Sequence, residues 1–170
     1  KEIADLVESL QWAVAYQVPY FILGKGSNCL FDDRGWNGLV IRNRIEFCEI
    51  EKNRVYVGAG YSFALLGSQT ARKGLSGLEF AAGIPATVGG AVYMNAGASG
   101  QETFDVLEEV IYLSESGEVV HYSKERLKRG YRFSSFQEMK GAILAARFLL
   151  EERGEQAQEV AEVGPGLDVV

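Results

Sequence analysis

The feature that most constrains this chain is a stretch of 22 residues, Phe80 to Gln101, that carries no charged side chain yet is broken by Gly83, Pro85, Gly89, Gly90, Gly97 and Gly100. It is long enough for a helix across a bilayer. So many glycines, with the polar Thr87, Asn95 and Ser99 among them, make a poor helix and an irregular backbone path instead. The segment therefore reads as protein interior or as backbone lining a ligand, with no membrane span. Ten of the 20 glycines fall between Gly58 and Gly100. In regular structure each costs roughly 0.5–1 kcal/mol relative to Ala, so their concentration points to cleared space. The economical occupant is a large flat ligand laid against backbone, with Thr87 and Asn95 as the few placed polar groups. The bland alternative is close packing of a helix on a sheet.

With 47% hydrophobic and 24% charged residues over 170 positions, the composition is that of an ordinary globular protein of one compact domain or two small ones. The net charge of -6 says little about partners, because six acids and one base lie in residues 151–170. No Lys/Arg run of the kind that marks nucleic-acid binders is present. One histidine and the two widely spaced cysteines, Cys29 and Cys48, do not supply a zinc site. The cysteines read as free thiols in a reducing compartment and as small core hydrophobes. His121 reads as a surface residue of a strand, which leaves no Ser-His-Asp triad.

The local patterns predict mixed α+β structure. Ile3, Leu6, Val7, Leu10 and Val14 recur at helical spacing, and Pro19 ends that region. Tyr20-Phe21-Ile22-Leu23 is a short apolar run of the kind buried in a parallel sheet. Cys29-Leu30-Phe31 and Leu39-Val40-Ile41 are predicted as strands flanking a turn at Asp32-Asp33-Arg34-Gly35, and Arg54-Val55-Tyr56-Val57 as another strand. A helix follows Ser62, its N-cap, and stops before Gly74. Val106 to Leu113 and Glu118 to Tyr122 form a hairpin turning at Ser116-Gly117. A short helix starts at Ser123, Tyr131 to Phe136 is a polar-aromatic loop, and Ala142 to Leu150 is a final strand. Glu79, alone in an apolar run, calls for a partner, with Arg72 or Lys73 in reach. Two lobes are expected, residues 1–53 and 54–150, with 151–170 a tail or a link to a further domain.

Gly24-Lys25-Gly26-Ser27-Asn28 directly follows an apolar strand. Its glycines allow positive φ and close approach, so that successive N–H groups can face an anion such as a pyrophosphate. The spacing is neither that of a Walker loop nor that of a Rossmann fingerprint. A simple turn is the alternative.

Taken together, the strings G-K-G-S-N, V-G-A-G, G-L-S-G-L-E-F-A-A-G-I-P-A-T-V-G-G-A-V-Y-M-N-A-G-A and Y-R-F-S-S-F, in this order and spacing, resemble the MurB family of UDP-N-acetylenolpyruvoylglucosamine reductases over most of residues 1–150. The resemblance implies a two-lobed FAD-binding domain of the vanillyl-alcohol-oxidase (PCMH) type. It further implies FAD as cofactor, NADPH as co-substrate and a UDP-sugar enolpyruvate as substrate in peptidoglycan synthesis, at a cytoplasmic or plastid-stromal location. By the same resemblance Gly24, Gly26, Ser27 and Asn28 would hold the diphosphate. Gly83, Ile84, Pro85, Thr87, Val88, Gly89 and Gly90 would line the flavin and its ribityl chain, with Asn95 and Ala96 beside them. Ile143 would meet the ring through its backbone, and Arg132 would be the active-site arginine. A planar guanidinium there would pair with the enolpyruvyl carboxylate and stabilise the charge that builds on it during reduction.

The chain departs from the family pattern at Ala86, where a glycine is usual, and at Ser99, where an aromatic is more common. If position 86 needs positive φ, Ala costs about 1 kcal/mol there and FAD affinity is expected to fall. The family's C-terminal substrate domain, with its proton-donating serine and late glutamate, is expected to be missing, which leaves the chain incomplete for catalysis. Cys29, beside the Ser27-Asn28 turn, has by remote analogy the placement of a covalent flavin attachment. Two other readings stand beside the reductase. One is an oxidase of the same superfamily, with no use for Y-R-F-S-S-F; the other is a non-catalytic flavin-binding or interaction module.

Overall fold

The computed structural model describes residues 3–153. The chain begins with α1 (Ile3–Ala15), β1 (Tyr20–Leu23), β2 (Leu39–Arg42), β3 (Cys48–Glu51), β4 (Arg54–Gly58), α2 (Phe63–Arg72) and β5 (Leu75–Ser76). After a 3-10 turn at Glu79–Gly83 come α3 (Val88–Met94), β6 (Gly97–Ala98), β7 (Gln101–Glu102), α4 (Thr103–Val106), β8 (Leu107–Ser114) and β9 (Val119–Ser123). The last elements are β10 (Arg129–Gly130), β11 (Phe133–Ser134), β12 (Gly141–Leu149) and β13 (Glu151–Glu152).

A five-stranded sheet in the order β3-β4-β12-β8-β9, antiparallel throughout, is the centre of the molecule. Strand alternation gives it two apolar faces. Val110 and Tyr112 of β8, with Ala146 and Phe148 of β12, face a core built from Phe63 and Leu66 of α2, Val88, Ala91 and Val92 of α3, and Phe104 of α4. Ile111, Leu113, Ala142, Leu144 and Ala145 face the other way, toward Leu6 and Leu10 of α1 and the half-buried Tyr20, Ile22 and Ile41 of β1 and β2. Consecutive Leu144 and Ala145 share that second face because the β12–β8 register shifts between Ile143 and Ala145. One extra residue in a strand inverts its alternation.

The first unit is small: β1 and β2 pair in parallel, Tyr20 opposite Leu39 through Leu23 opposite Arg42, as the apolar run predicts, with α1 against the same sheet. The buried stripe of α1 is Leu6, Leu10 and Ala13; Ile3 and Val14 of the predicted stripe are exposed. Residue 53 lies in the turn between β3 and β4, so β3 already belongs to the large sheet.

Several local expectations need correction. Cys29-Leu30-Phe31 is no strand: every residue from Cys29 to Gly38 is exposed and outside regular structure, Cys29 included, so the core reading of that thiol fails. Nothing in this segment alternates between a buried and a solvated face, so Leu30, Phe31 and Trp36 have no sheet to join. β3 is unpredicted, although Cys48-Glu49-Ile50-Glu51 alternates and a Lys52-Asn53 turn follows, with Lys52 at φ +52°. Glu79 takes its partners from its own loop, accepting from Ser76 Oγ and Gly77 N–H, both at 2.6 Å. Glu151 and Glu152 pair with Ser76 and Leu75; the rest of the expected tail, 154–170, lies outside the described residues. Ser62 caps α2 as predicted, its Oγ accepting from Leu65 N–H, and the β8–β9 hairpin turns at Ser116-Gly117.

Candidate functional site

The two glycine-bearing segments meet at one point. Gly24, the residue after β1, faces Thr87, the N-cap of α3: a Cβ on Gly24 would stand 2.5 Å from Thr87 Oγ1. Only a residue without a side chain lets the loop after β1 lie that close. Beside this contact opens a cavity of about 300 Å³ lined by Gly24, Lys25, Arg42, Asn43, Arg44, Glu46, Gly60, Tyr61, Ser62, Leu65 and Thr87. It lies on the seam between the small unit and the large sheet. Asn43, 7% exposed, rivets that seam: its Nδ2 donates to Ile143 O at 2.9 Å and its Oδ1 accepts from Ile45 N–H.

Of the residues singled out in the sequence, Gly24 and Thr87 line this cavity. Gly26 adopts φ +77°, and Ser27 and Asn28 are exposed on the same turn, which is closed by Cys29 N–H donating to Gly26 O. The N–H groups of Lys25, Gly26, Ser27 and Asn28 donate to no protein acceptor among the described residues. Four successive donors without a protein partner in one turn are available to an anion.

The start of α3 is different. Val88 N–H donates to Tyr61 O, Gly89 N–H to Ala59 O and Gly90 N–H to Thr87 Oγ1. The first donors of that helix are spent within the protein, so residues 88–90 offer a surface and no open N–H cradle. Gly89 fits the packing alternative, since a Cβ there would lie 2.9 Å from Ala59 Cβ. Gly97 is likewise enclosed, by Gln101 and Glu102. Gly83 has open space around it, and Gly90 meets only Thr87 Oγ1 at 3.4 Å. Gly83 and Pro85 are exposed, Ile84 is half-buried and Val88 is buried in the core.

Ala86 is not in the left-handed region. It follows a tight turn at Pro85, Ala86 N–H donating to Ile84 O, and its own carbonyl accepts from Phe63 N–H. The strain expected at this position is absent. Ser99 (φ +54°) and Gly100 (φ +81°) form the two-residue turn of the β6–β7 hairpin, a job for backbone conformation and not for an aromatic side chain.

At the other end of α3, seven residues or about 10 Å away, lies the arginine loop. Asn95 caps α3 at φ +42° and is 1% exposed. Its Nδ2 donates to Glu102 Oε2 (2.8 Å) and Gly130 O (3.1 Å), while Oδ1 accepts from Phe104 N–H. Its side chain is thus occupied by protein, and Ala96 beside it is buried. Arg132 takes the second place of the two-residue β10–β11 turn at φ +55° and is exposed, its guanidinium 5.6 Å from the Tyr131 ring centre. A positive φ at a non-glycine residue is uncommon and here is imposed by the surroundings. Gln137 Nε2 donates to Arg132 O and Tyr93 O, both at 3.0 Å, and Ser134 Oγ donates to Tyr93 O at 2.7 Å. The arginine therefore projects from a turn bolted to the C-terminal end of α3.

Sequence reading missed Lys25, Arg42, Asn43 and Arg44. The signal was available: the string Arg42-Asn43-Arg44 directly follows an apolar strand, placing two bases where a parallel sheet presents its C-terminal edge, the usual ligand side of such sheets.

The family model described as FAD binding domain matches residues 1–123. A UDP-N-acetylenolpyruvoylglucosamine reductase of Protochlamydia amoebophila is 54% identical over 160 residues, which are 94% of this chain and 54% of that protein. A crystal structure of UDP-N-acetylenolpyruvylglucosamine reductase (MurB) from Thermus caldophilus superposes with a TM-score of 0.75 at 38% identity, covering 92% of this chain and 56% of that one. The 6-hydroxy-D-nicotine oxidase of Arthrobacter nicotinovorans, 16% identical with a TM-score of 0.65, shares the fold. The chain spans about half the length of the reductases it matches.

Proposed function

The chain belongs to the family of the FAD binding domain, and on that premise we propose that it is the FAD-binding part of a reductase that converts UDP-N-acetylglucosamine enolpyruvate to UDP-N-acetylmuramate with NADPH. The activity serves peptidoglycan synthesis in the cytoplasm. The observation that supports this reading is the seam cavity itself, where Gly24 and the Thr87 end of α3 meet, with Lys25, Arg42 and Arg44 in its lining and the unpartnered N–H groups of the Lys25 to Asn28 turn following Gly24 in the chain. That donor set fits a diphosphate, and the side-chain-free surface at Gly83 and Gly90 fits a flat ring system.

Bound FAD would supply the two-electron chemistry. Gly24, Gly26, Ser27 and Asn28 would hold its diphosphate. Gly83, Ile84, Pro85, Thr87 and Gly90 would form the wall for the flavin and ribityl chain, with Val88 and Gly89 holding that wall against the core from behind, Asn95 and Ala96 setting the far end of α3 and Ile143 the sheet side. Arg132 would hold the substrate carboxylate in a planar ion pair and stabilise negative charge developing next to it. Its pinned turn fixes the direction from which that pair forms, which is how a positioned cation lowers a barrier. No residue of the described chain is assigned as proton donor.

The test is direct. The purified chain mixed with FAD and passed through a desalting column is expected to retain the visible absorbance of the flavin, weakly bound. Anaerobic NADPH is expected to bleach it, with little or no turnover of the enolpyruvyl sugar nucleotide. A colourless eluate at every FAD concentration would sink the reading, and bleaching by a small alcohol in place of NADPH would turn it into an oxidase.

A further inference from the structure

We propose that Lys25, Arg42 and Arg44 form a cationic rim that selects a phosphorylated ligand in the seam cavity, with Lys25 as the strap that crosses it. The inference rests on the FAD reading for the identity of the ligand and on the geometry for the role of the three bases. All three line the 300 Å³ cavity. The acid among the lining residues is Glu46, whose Oε1 lies 3.3 Å from Arg44 Nε, so the cavity keeps an excess of positive charge.

Backbone donors meet a diphosphate's oxygens here but do not neutralise its charge, and the helix starts add little. Val88, Gly89 and Gly90 N–H at α3, and Phe63, Leu65 and Leu66 N–H at α2, are already spent on protein acceptors. Among the N–H groups that donate to no protein acceptor are those of the Lys25 to Asn28 turn on the small unit and those of the cavity-lining Ser62 and Thr87 on the large one. These dipoles carry no net charge, so the full charge of the ligand is balanced by side chains, and the three bases come from two separate places, the loop after β1 and the end of β2. Lys25 Nζ spans from the small unit to Ser62 Oγ of the large one at 2.8 Å. A phosphate oxygen in the cavity offers that ammonium a charged acceptor in place of a neutral hydroxyl, which adds ion-pair attraction to the hydrogen bond. A cavity of this size lies at the lower end of ligand pockets, enough for the charged middle of a dinucleotide and not for all of it.

The test compares FAD with riboflavin, the same ring without phosphate, by quenching of flavin fluorescence on the 170-residue chain. Lys25→Met and the double variant Arg42→Gln/Arg44→Gln are each expected to weaken FAD by about tenfold or more, the loss of about one charge-assisted contact. Riboflavin binding should stay as it is. The FAD constant of the parent chain should weaken steeply with added salt, and that of the double variant less so. Arg42→Lys/Arg44→Lys, which keeps the charge, is expected to retain most of the affinity and guards against loss by misfolding. Equal losses for FAD and riboflavin, or no loss for FAD, would overturn the proposal. Should the parent chain bind no flavin, the FAD reading falls, and inorganic pyrophosphate decides the rim by itself. Pyrophosphate binding that the double variant abolishes supports the rim, and no pyrophosphate binding to the parent chain removes it.

Discussion

Single residues in the glycine segment do different jobs, and space around each tells them apart. Gly89 is a packing glycine, because α3 lies against Ala59 with no room for a methyl group. Gly90, one residue on, has that room. Gly90→Ala is therefore expected to stabilise the chain by up to about 1 kcal/mol through helix propensity while weakening FAD, whose wall it forms in the proposed reading. Thermal melting and flavin titration on the same sample read both effects, and unchanged FAD affinity would remove Gly90 from the wall. Ala86 is the converse. Its backbone is not left-handed, so restoring glycine relieves no strain. Ala86→Gly should leave FAD affinity as it is and cost up to about 1 kcal/mol of stability through the freer unfolded chain, as a denaturant titration would report.

At the level of elements, α3 is the axis of the candidate site. Its N-cap Thr87 faces the cavity, and its left-handed C-cap Asn95 ties the helix to β7, to β10 and to the start of β8's approach through α4. Asn95→Ala removes three hydrogen bonds in a buried place and puts Ala, which tolerates the left-handed region less well than Asn, at φ +42°. The expected loss is about 2–4 kcal/mol, measured by chemical denaturation. A loss below about half a kcal/mol would mean that neighbouring side chains or water take over those bonds. The sequence marked Asn95 as one of the few polar residues in an apolar run, and polarity alone did not distinguish a ligand contact from a cap. Similarly, the glycine content argued against a helix in this segment, yet residues 88–94 form one, because Thr87 caps it and the sheet behind it buries Val88, Ala91 and Val92. Tertiary burial outweighs weak propensity over so short a helix.

For the molecule as a whole, the seam between the small unit and the sheet matters most, and it has a weak point. The Tyr20 hydroxyl is buried there without a hydrogen-bond partner. Burial, with a smaller push from the nearby Glu115 carboxylate, raises this phenol from its ordinary 10.0 to about 12. The folded chain then keeps a proton that the unfolded chain releases above pH 10. Stability is full below that pH and falls as pH rises toward 12. Tyr20→Phe should lessen this alkaline decline, to which the Tyr112 phenol, also raised by burial, contributes in the same sense. It should also raise stability at neutral pH by about 1 kcal/mol, since it removes an unsatisfied buried group. Denaturant midpoints across the alkaline range test it, and an unchanged slope would show another group to be responsible. Glu79 behaves in the opposite sense. Burial alone would raise its carboxyl, but the Ser76 hydroxyl and the Gly77 N–H, aided by the charge of Arg153, together hold it below the usual range. Its contribution is present at neutral pH and fades on acidification.

The chain's order of motifs was enough to state the class of fold and the FAD-binding family, because glycine spacing, apolar runs and caps are local properties that a sequence carries openly. The strand Tyr20–Leu23, the capped α2 and the β8–β9 hairpin were legible for the same reason, whereas the partner of β2 was not: it is β1, in parallel, and no strand at Cys29-Leu30-Phe31. Tertiary structure alone decided which glycines pack and which stand open, since that depends on Ala59, Gln101 and Thr87, far from each glycine along the chain or turned toward it only by the fold. It also decided that Ala86 is unstrained, that Asn95 is occupied by protein, and that Lys25, Arg42 and Arg44 share one cavity. Backbone angle, burial and the convergence of distant charges are set by how elements pack, and no single stretch of residues contains that information.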